Sequence, residues 1–330
     1  MADTMTSTLV EPVRASMLID LEGASTQPKD LRPQESPHAS EVRGIRIEGL
    51  DRSFAALWLG GRVIGIGSTE EQDGNSPRSK PRLQSQASSS ILPNVYLVTP
   101  HTSQSIPMLH VLLTKTISDS SAALELLKTV RLLQYFDLAG LAESLAEISQ
   151  ELFQRTHATN TSINPEAGKR TSPHDIVLIQ GLGQTVSATH RRSGLVQSNA
   201  LLRNLMRNIT QIARISRDVL VLVVVPLEIG AIRDTQLYQE AAKPRRVQAA
   251  IEMKSAFAGT NGEALRLYYS GHESLARTLE AALDCIVVAH DGFGRVKEVG
   301  RPNEREEQVV EVVKDRVGDL MGLWGIWKGG

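Results

Sequence analysis

The segment from Arg62 to Thr69 sets a strand-forming run, Arg-Val-Ile-Gly-Ile, ahead of a turn that holds Gly67, Ser68 and Thr69. Glycines in such a turn let backbone N–H groups surround a phosphate, and a hydroxyl beside them is a ligand for magnesium. Phosphoryl chemistry also needs a lysine for the outer phosphate oxygens. The turn has none. Lys80 is the nearest, set among Pro77, Ser79 and Pro81, where no helix terminus adds its dipole. Gly65, Gly67, Ser68 and Thr69 are therefore candidate nucleotide-binding residues of a degenerate phosphate loop.

Other reactive residue types lack partners at useful spacing. The eight histidines show no i, i+3 or i, i+4 pairing of the kind that holds a metal on a helix, so no metal site is expected. His290 and Asp291 open the stretch His-Asp-Gly-Phe-Gly-Arg at a strand end, a common place for sites in open α/β sheets, but no nucleophile accompanies them. Ser187 and Ser274 have no nucleophile-elbow context. The single cysteine, Cys285, sits in an apolar run; it excludes a disulfide framework and reads as core. Arg203, Arg207, Arg214 and Arg217 form one stripe on a helix and read as solvated surface. Two further basic groups, Arg191-Arg192 and Lys243-Pro244-Arg245-Arg246, fall in expected loops.

These residues need a scaffold, and the hydrophobic pattern supplies one. Strands are expected at Arg62 to Gly67, Val95 to Thr99, Val130 to Phe136, Asp175 to Ile179, Val219 to Val225, Cys285 to His290, Val309 to Lys314 and Leu323 to Trp327. Several are unbroken Val/Ile/Leu runs, as in strands covered on both faces. Helices are expected from Leu138, with Leu141, Leu145, Ile148 and Leu152 on one face; from Val196 to Arg217, with Leu201, Leu202, Leu205 and Ile209 inward; and from Glu273 to Leu283. The alternation argues for an α/β fold with a mainly parallel sheet and right-handed crossovers. The last two strands, joined by a short Gly318 to Gly322 connection, should form an antiparallel hairpin. Trp324 and Trp327 read as core packing there, with exposure of one of them at an interface as the alternative.

Composition bounds the partners. A net charge of -1 gives no global attraction to nucleic acid or to anionic membrane, so any such contact must be local. Residues 1–40 are expected to be a disordered tail and 70–90 a disordered insertion in one domain that spans 41–330. The longest apolar run, Val219 to Val225, is far short of the roughly 20 residues that cross a bilayer. With no secretory signal in view, a soluble intracellular protein without membrane partners is expected.

In their order, the ordered segments resemble the RecA-type recombinase core, with its P-loop NTPase fold. The likeness extends to the divergent eukaryotic, fungal-like paralogues that assist DNA repair. Residues 45–68 resemble the family's opening, in which a Gly-Leu-Asp stretch precedes the strand into the phosphate loop. Asn94 to Pro100 is similar to its second core strand, His174 to Val186 to its second nucleotide-site strand, and Val309 to Trp327 to its terminal hairpin. The family's metal-positioning acid falls on Gln180, and its water-orienting glutamate falls on Thr99-Pro100. The resemblance thus implies a recombinase paralogue without ATPase chemistry, in the nucleus or cytoplasm, that binds other RecA-like subunits and DNA. Arg191, Arg192, Arg245 and Arg246 are the DNA-contact candidates. No cofactor is expected, with ATP and magnesium held open as the alternative. Two other readings stand: an active or weakly active DNA-dependent ATPase whose phosphate loop is supplied by a partner or by an omitted exon, and a RecA-like scaffold subunit of a tRNA-modification complex.

Overall fold

The computed structural model describes residues 52–68, 93–103, 105–116, 120–161, 175–231, 250–258, 263–269, 272–290 and 307–328. The expected tail and insertion lie outside these residues. The strands are β1 (Arg62–Ser68), β2 (Asn94–Pro100), β3 (Val130–Tyr135), β4 (Asp175–Ile179), β5 (Val219–Val224), β6 (Leu227–Ala231), β7 (Ala250–Met253), β8 (Glu263–Tyr268), β9 (Cys285–His290), β10 (Glu307–Asp315) and β11 (Trp324–Lys328). The helices are α1 (Ser105–Thr116), α2 (Ser120–Lys128), α3 (Leu138–Thr161), α4 (Leu182–Ile215) and α5 (Glu273–Ala282), and a 3-10 turn covers Arg52–Ala56.

Eight strands form one sheet in the order β11-β10-β9-β1-β5-β4-β2-β3. It is parallel from β9 to β3, with Ile64 of β1 level with Leu222 on one side and Cys285 on the other. β10 and β11 pair antiparallel, as the terminal hairpin requires. The turn between them is built by Asp315, whose carboxylate accepts the N–H groups of Val317, Gly318 and Leu320.

Both faces of the sheet are covered, which is why its strands read as continuous apolar runs. On one face Leu141, Leu145 and Ile148 of α3, Leu202, Leu205 and Ile209 of α4, and Leu275 and Leu279 of α5 pack on Val63, Tyr96, Val98, Val177 and Val221. On the other, Phe54, Leu57, Trp58 and Trp327 pack on Ile64, Leu220, Leu222, Val287 and Val312. The β3–β4 and β4–β5 steps run toward β1, whereas the β2–β3 step runs away from it. Right-handed crossovers then put α1 and α2 on the face opposite α3 and α4.

A buried carboxylate pins the start of the central strands. Asp284, ahead of β9, accepts the Val63 N–H at 3.0 Å and the guanidinium groups of Arg214 at 3.1 Å and Arg316 at 3.0 Å. Arg214 also donates to the Gly61 carbonyl at 2.6 Å. It is therefore a structural clamp and not one of a row of solvated cations; Arg203, Arg207 and Arg217 remain exposed.

The structure adds elements that the periodicity did not supply. α4 begins at Leu182, well before Val196, and bends at Gly194, whose φ of 76° breaks the helical backbone. Leu201, expected inward, is 39% exposed, because the inward stripe of this segment runs through Ser198, Leu202, Leu205, Met206 and Ile209 and leaves position 201 beside it. A second sheet, β6-β8-β7, is antiparallel, and its turn after β7 is fastened to the main sheet. Glu311 of β10 accepts the Ala256 N–H at 2.7 Å and the Ser255 hydroxyl at 2.5 Å. It also meets His290 Nε2 at 2.9 Å. Phe257 of that turn packs edge-on against Trp324, which is half-buried, while Trp327 is in the core.

Candidate functional site

At the neighbouring strands β2 and β4 the chain leaves for opposite faces of the sheet. Such a switch point opens a crevice beyond the carboxyl ends of the strands, where open α/β sheets place their ligands. Thr99 and Pro100 end β2 there, and Gln180 and Gly181 follow β4. The two strands to which the family resemblance assigns a nucleotide site, β1 and β4, end on this same edge with β5 between them.

The groups gathered at the crevice are uncharged. The Ser105 hydroxyl donates to Gln180 Oε1 at 2.6 Å and lies 2.5 Å from the Ser103 hydroxyl. The Gln180 N–H donates to the Val98 carbonyl, which continues the β2–β4 pairing. The Tyr135 hydroxyl donates to the Gln180 backbone oxygen at 2.5 Å. Burial pushes the Tyr135 phenol from its ordinary 10.0 up to about 12, against a smaller lowering by its hydrogen bond with Thr185, so it stays a neutral donor. Thr99 is buried, and Pro100 packs on the bare α-carbon of Gly181, where φ is 73° and only glycine is at ease.

Magnesium with a triphosphate asks for hard anionic ligands and for a cation on the outer phosphate oxygens. An amide, hydroxyls and a proline are a poor match for either demand, and they already bond to one another. Among the described residues there is also no group of three or more His, Cys, Asp or Glu side chains placed to hold a metal ion.

The turn after β1 is explained in part by packing. Gly65 and Gly67 lie within the strand itself. A Cβ on Gly65 would stand 2.8 Å from Leu283 Cδ1, and one on Gly67 would stand 2.6 Å from Leu227 Cγ. Both glycines thus let neighbouring side chains close over β1. Ser68 ends the strand and is exposed, while Thr69 and Lys80 lie outside the described residues.

The DNA-contact candidates divide in the same way. Arg191 and Arg192 are exposed, but they stand in the first segment of α4 and not in a loop, because the helix starts directly after Gly181. Lys243, Arg245 and Arg246 lie outside the described residues, between β6 and β7 of the small sheet. His290 is buried against Glu311, and Asp291 is outside the described residues. Sequence reasoning missed Ser103, Ser105 and Tyr135. Their only signal was a cluster of hydroxyls just after the second strand and an aromatic residue at the end of the third.

The fold and the site define an α/β protein with a mainly parallel sheet and a neutral, hydrogen-bonded crevice at its switch point. No family model and no curated protein matches the chain. Among solved structures it is similar to the crystal structure of the RadB recombinase, at 12% identity and a TM-score of 0.41, over 82% of this chain and 88% of that one. No described helix is long and apolar enough to cross a membrane.

Proposed function

We propose that this chain is a non-catalytic recombinase paralogue of the RecA type, which acts in DNA recombination and repair by binding other recombinase-fold subunits and DNA. One observation carries the reading. Where the family resemblance places a metal-holding acid and a water-orienting glutamate, Gln180 is held by the neutral hydroxyls of Ser105 and Tyr135, and Thr99-Pro100 end the neighbouring strand. Loss of charged groups aimed at a transferring phosphoryl group removes several kcal/mol of barrier lowering for each group. The scaffold is kept, so the surfaces around it are what remains for function. The terminal hairpin and the run of segments from β1 to β4 support the resemblance over most of the described chain.

The reading is tested by incubating the full chain with ATP and magnesium, with and without single-stranded DNA and with recombinase-fold partners. Phosphate release is expected to stay at background in every case, while the partners co-elute with the chain. Turnover stimulated by DNA would overturn the assignment.

A further inference from the structure

His190 lies in the first segment of α4, and His272 stands at the N-cap of α5. Their imidazole rings meet edge-on, with centroids 4.3 Å apart and planes at 61°. Both residues are half-buried, so solvent still reaches the pair. Neither stands three or four positions from another histidine, and it is the packing of two helices that brings them together.

The separation of the rings carries a chemical preference. An imidazole nitrogen binds a divalent transition ion at about 2.0 Å, which sets the ring centroid about 3.2 Å from the ion. Two rings on one ion then have centroids about 4.5 Å apart at a right angle and about 5.2 Å apart at a tetrahedral angle. The observed 4.3 Å matches the right angle. Imidazoles at that angle suit the square-planar or tetragonal shell of copper(II) or nickel(II) better than the tetrahedron of zinc. Among the described residues no group of three or more His, Cys, Asp or Glu side chains could hold an ion, and the carboxylate of neighbouring Glu273 accepts from Arg277 at 2.7 Å. Water would therefore complete the shell.

The place of the pair in the fold gives an ion something to do. α4 bends at Gly194, with φ of 76°, and a Cβ there would meet nothing within 4 Å. Beyond the bend, Asn199 accepts the Thr278 hydroxyl of α5 at 2.7 Å. α5 thus touches both segments of α4. An ion between His190 and His272 would fix the first segment to the helix that already holds the second.

We propose that His190 and His272 form a two-histidine site for a tetragonal divalent ion, copper(II) before nickel(II), which locks the bend of α4 against α5. The site uses neither the glycines of β1 nor the crevice around Gln180, so it stands whether or not the recombinase reading does.

The experiment titrates the full chain with copper(II), and separately with zinc, and follows affinity, the nitrogen hyperfine pattern in electron paramagnetic resonance, and hydrogen exchange of residues 182–193. Copper is expected to bind through two nitrogens, at least about tenfold more tightly than zinc, and to slow exchange in that segment. His190→Gln and His272→Asn should each weaken copper binding at least about tenfold and abolish the slowing. The His272 side chain caps no N–H of α5, whereas asparagine is a good cap, so His272→Asn keeps its fold and loses only the ligand. His157→Gln, outside the pair, should bind copper like the wild type. Binding that survives both pair variants, a one-nitrogen spectrum, or exchange that copper leaves unchanged would overturn the site. An ATP-hydrolysis assay bears only on the proposed function and leaves this result untouched.

Discussion

Ser105 holds Gln180 across the crevice between β2 and β4, its hydroxyl 2.6 Å from the amide oxygen. The bond joins the first residue of α1 to the residue just beyond β4, so it closes the switch point from both sides. A carboxylate at position 180 would face the same hydroxyls but would bring a charge that no lysine of the β1 turn balances.

Removing either partner should therefore loosen the crevice without creating activity. Ser105→Ala and Gln180→Ala are each expected to cost about 1 kcal/mol, with a coupling of similar size in the double variant. Urea denaturation measures all three. Strict additivity would show that the bond contributes nothing.

Gly67 and Leu227 form a second pair open to test, because a Cβ on the glycine would stand 2.6 Å from the leucine Cγ. Gly67→Ala is expected to destabilise the fold by about 1–3 kcal/mol through overpacking. Adding Leu227→Ala makes room, so the double variant should be more stable than the sum of its parts by about 0.5 kcal/mol or more. If Gly67→Ala is neutral, packing is not what keeps this position free of a side chain.

How far this architecture was legible depended on the range of the signal. The strands Asp175 to Ile179 and Cys285 to His290 were found to the residue, since unbroken apolar runs bounded by polar ones report burial on both faces. α3 and α5 were found because one stripe of each faces the sheet. The small sheet was not, although Leu227-Glu228-Ile229 and Leu265-Arg266-Leu267 alternate as strands should. These segments are short, and their pairing joins residues far apart in the chain. That neutral residues, Gln180 and Thr99-Pro100, stand where the resemblance implies carboxylates was visible in sequence. That Ser105 and Tyr135 would close on Gln180 was not, because no periodicity encodes a contact between hydroxyls from separate crossovers. Arg214 looked like its neighbours until Asp284 gave it a partner 70 residues away.

Binding to nucleic acid predicts a particular salt dependence. Alanine at Arg191, Arg192, Arg245 and Arg246 together should weaken binding of single-stranded DNA and flatten the plot of log affinity against log salt by about 0.7 for each phosphate that is no longer neutralised. Fluorescence anisotropy at several salt concentrations measures it. An unchanged slope would remove these residues from the interface.

Cys285 gives a prediction for pH. Burial, and then the charge of Asp315, pushes its thiol from an ordinary 9.0 up to about 12, so the folded chain keeps the proton where the unfolded chain has lost it. A raised folded-state pKa contributes stability that is complete below pH 9 and is lost as the pH rises toward 12. Cys285→Ala should remove this part of the alkaline fall in urea-derived stability. A wild type and a variant with parallel curves across that window would show that the thiol is not shielded.

The central claim is that, among the described residues, the crevice between β2 and β4 offers a metal-bound triphosphate neutral groups in place of a carboxylate and a lysine. Calorimetric titration of the full chain with ATP, first without magnesium and then with it, tests that claim most directly. Magnesium is expected to leave ATP affinity unchanged or to weaken it, since Gln180 and its hydroxyl partners offer the ion no carboxylate and no lysine steadies the outer phosphates. A rise in affinity of about tenfold or more on adding magnesium would contradict the account.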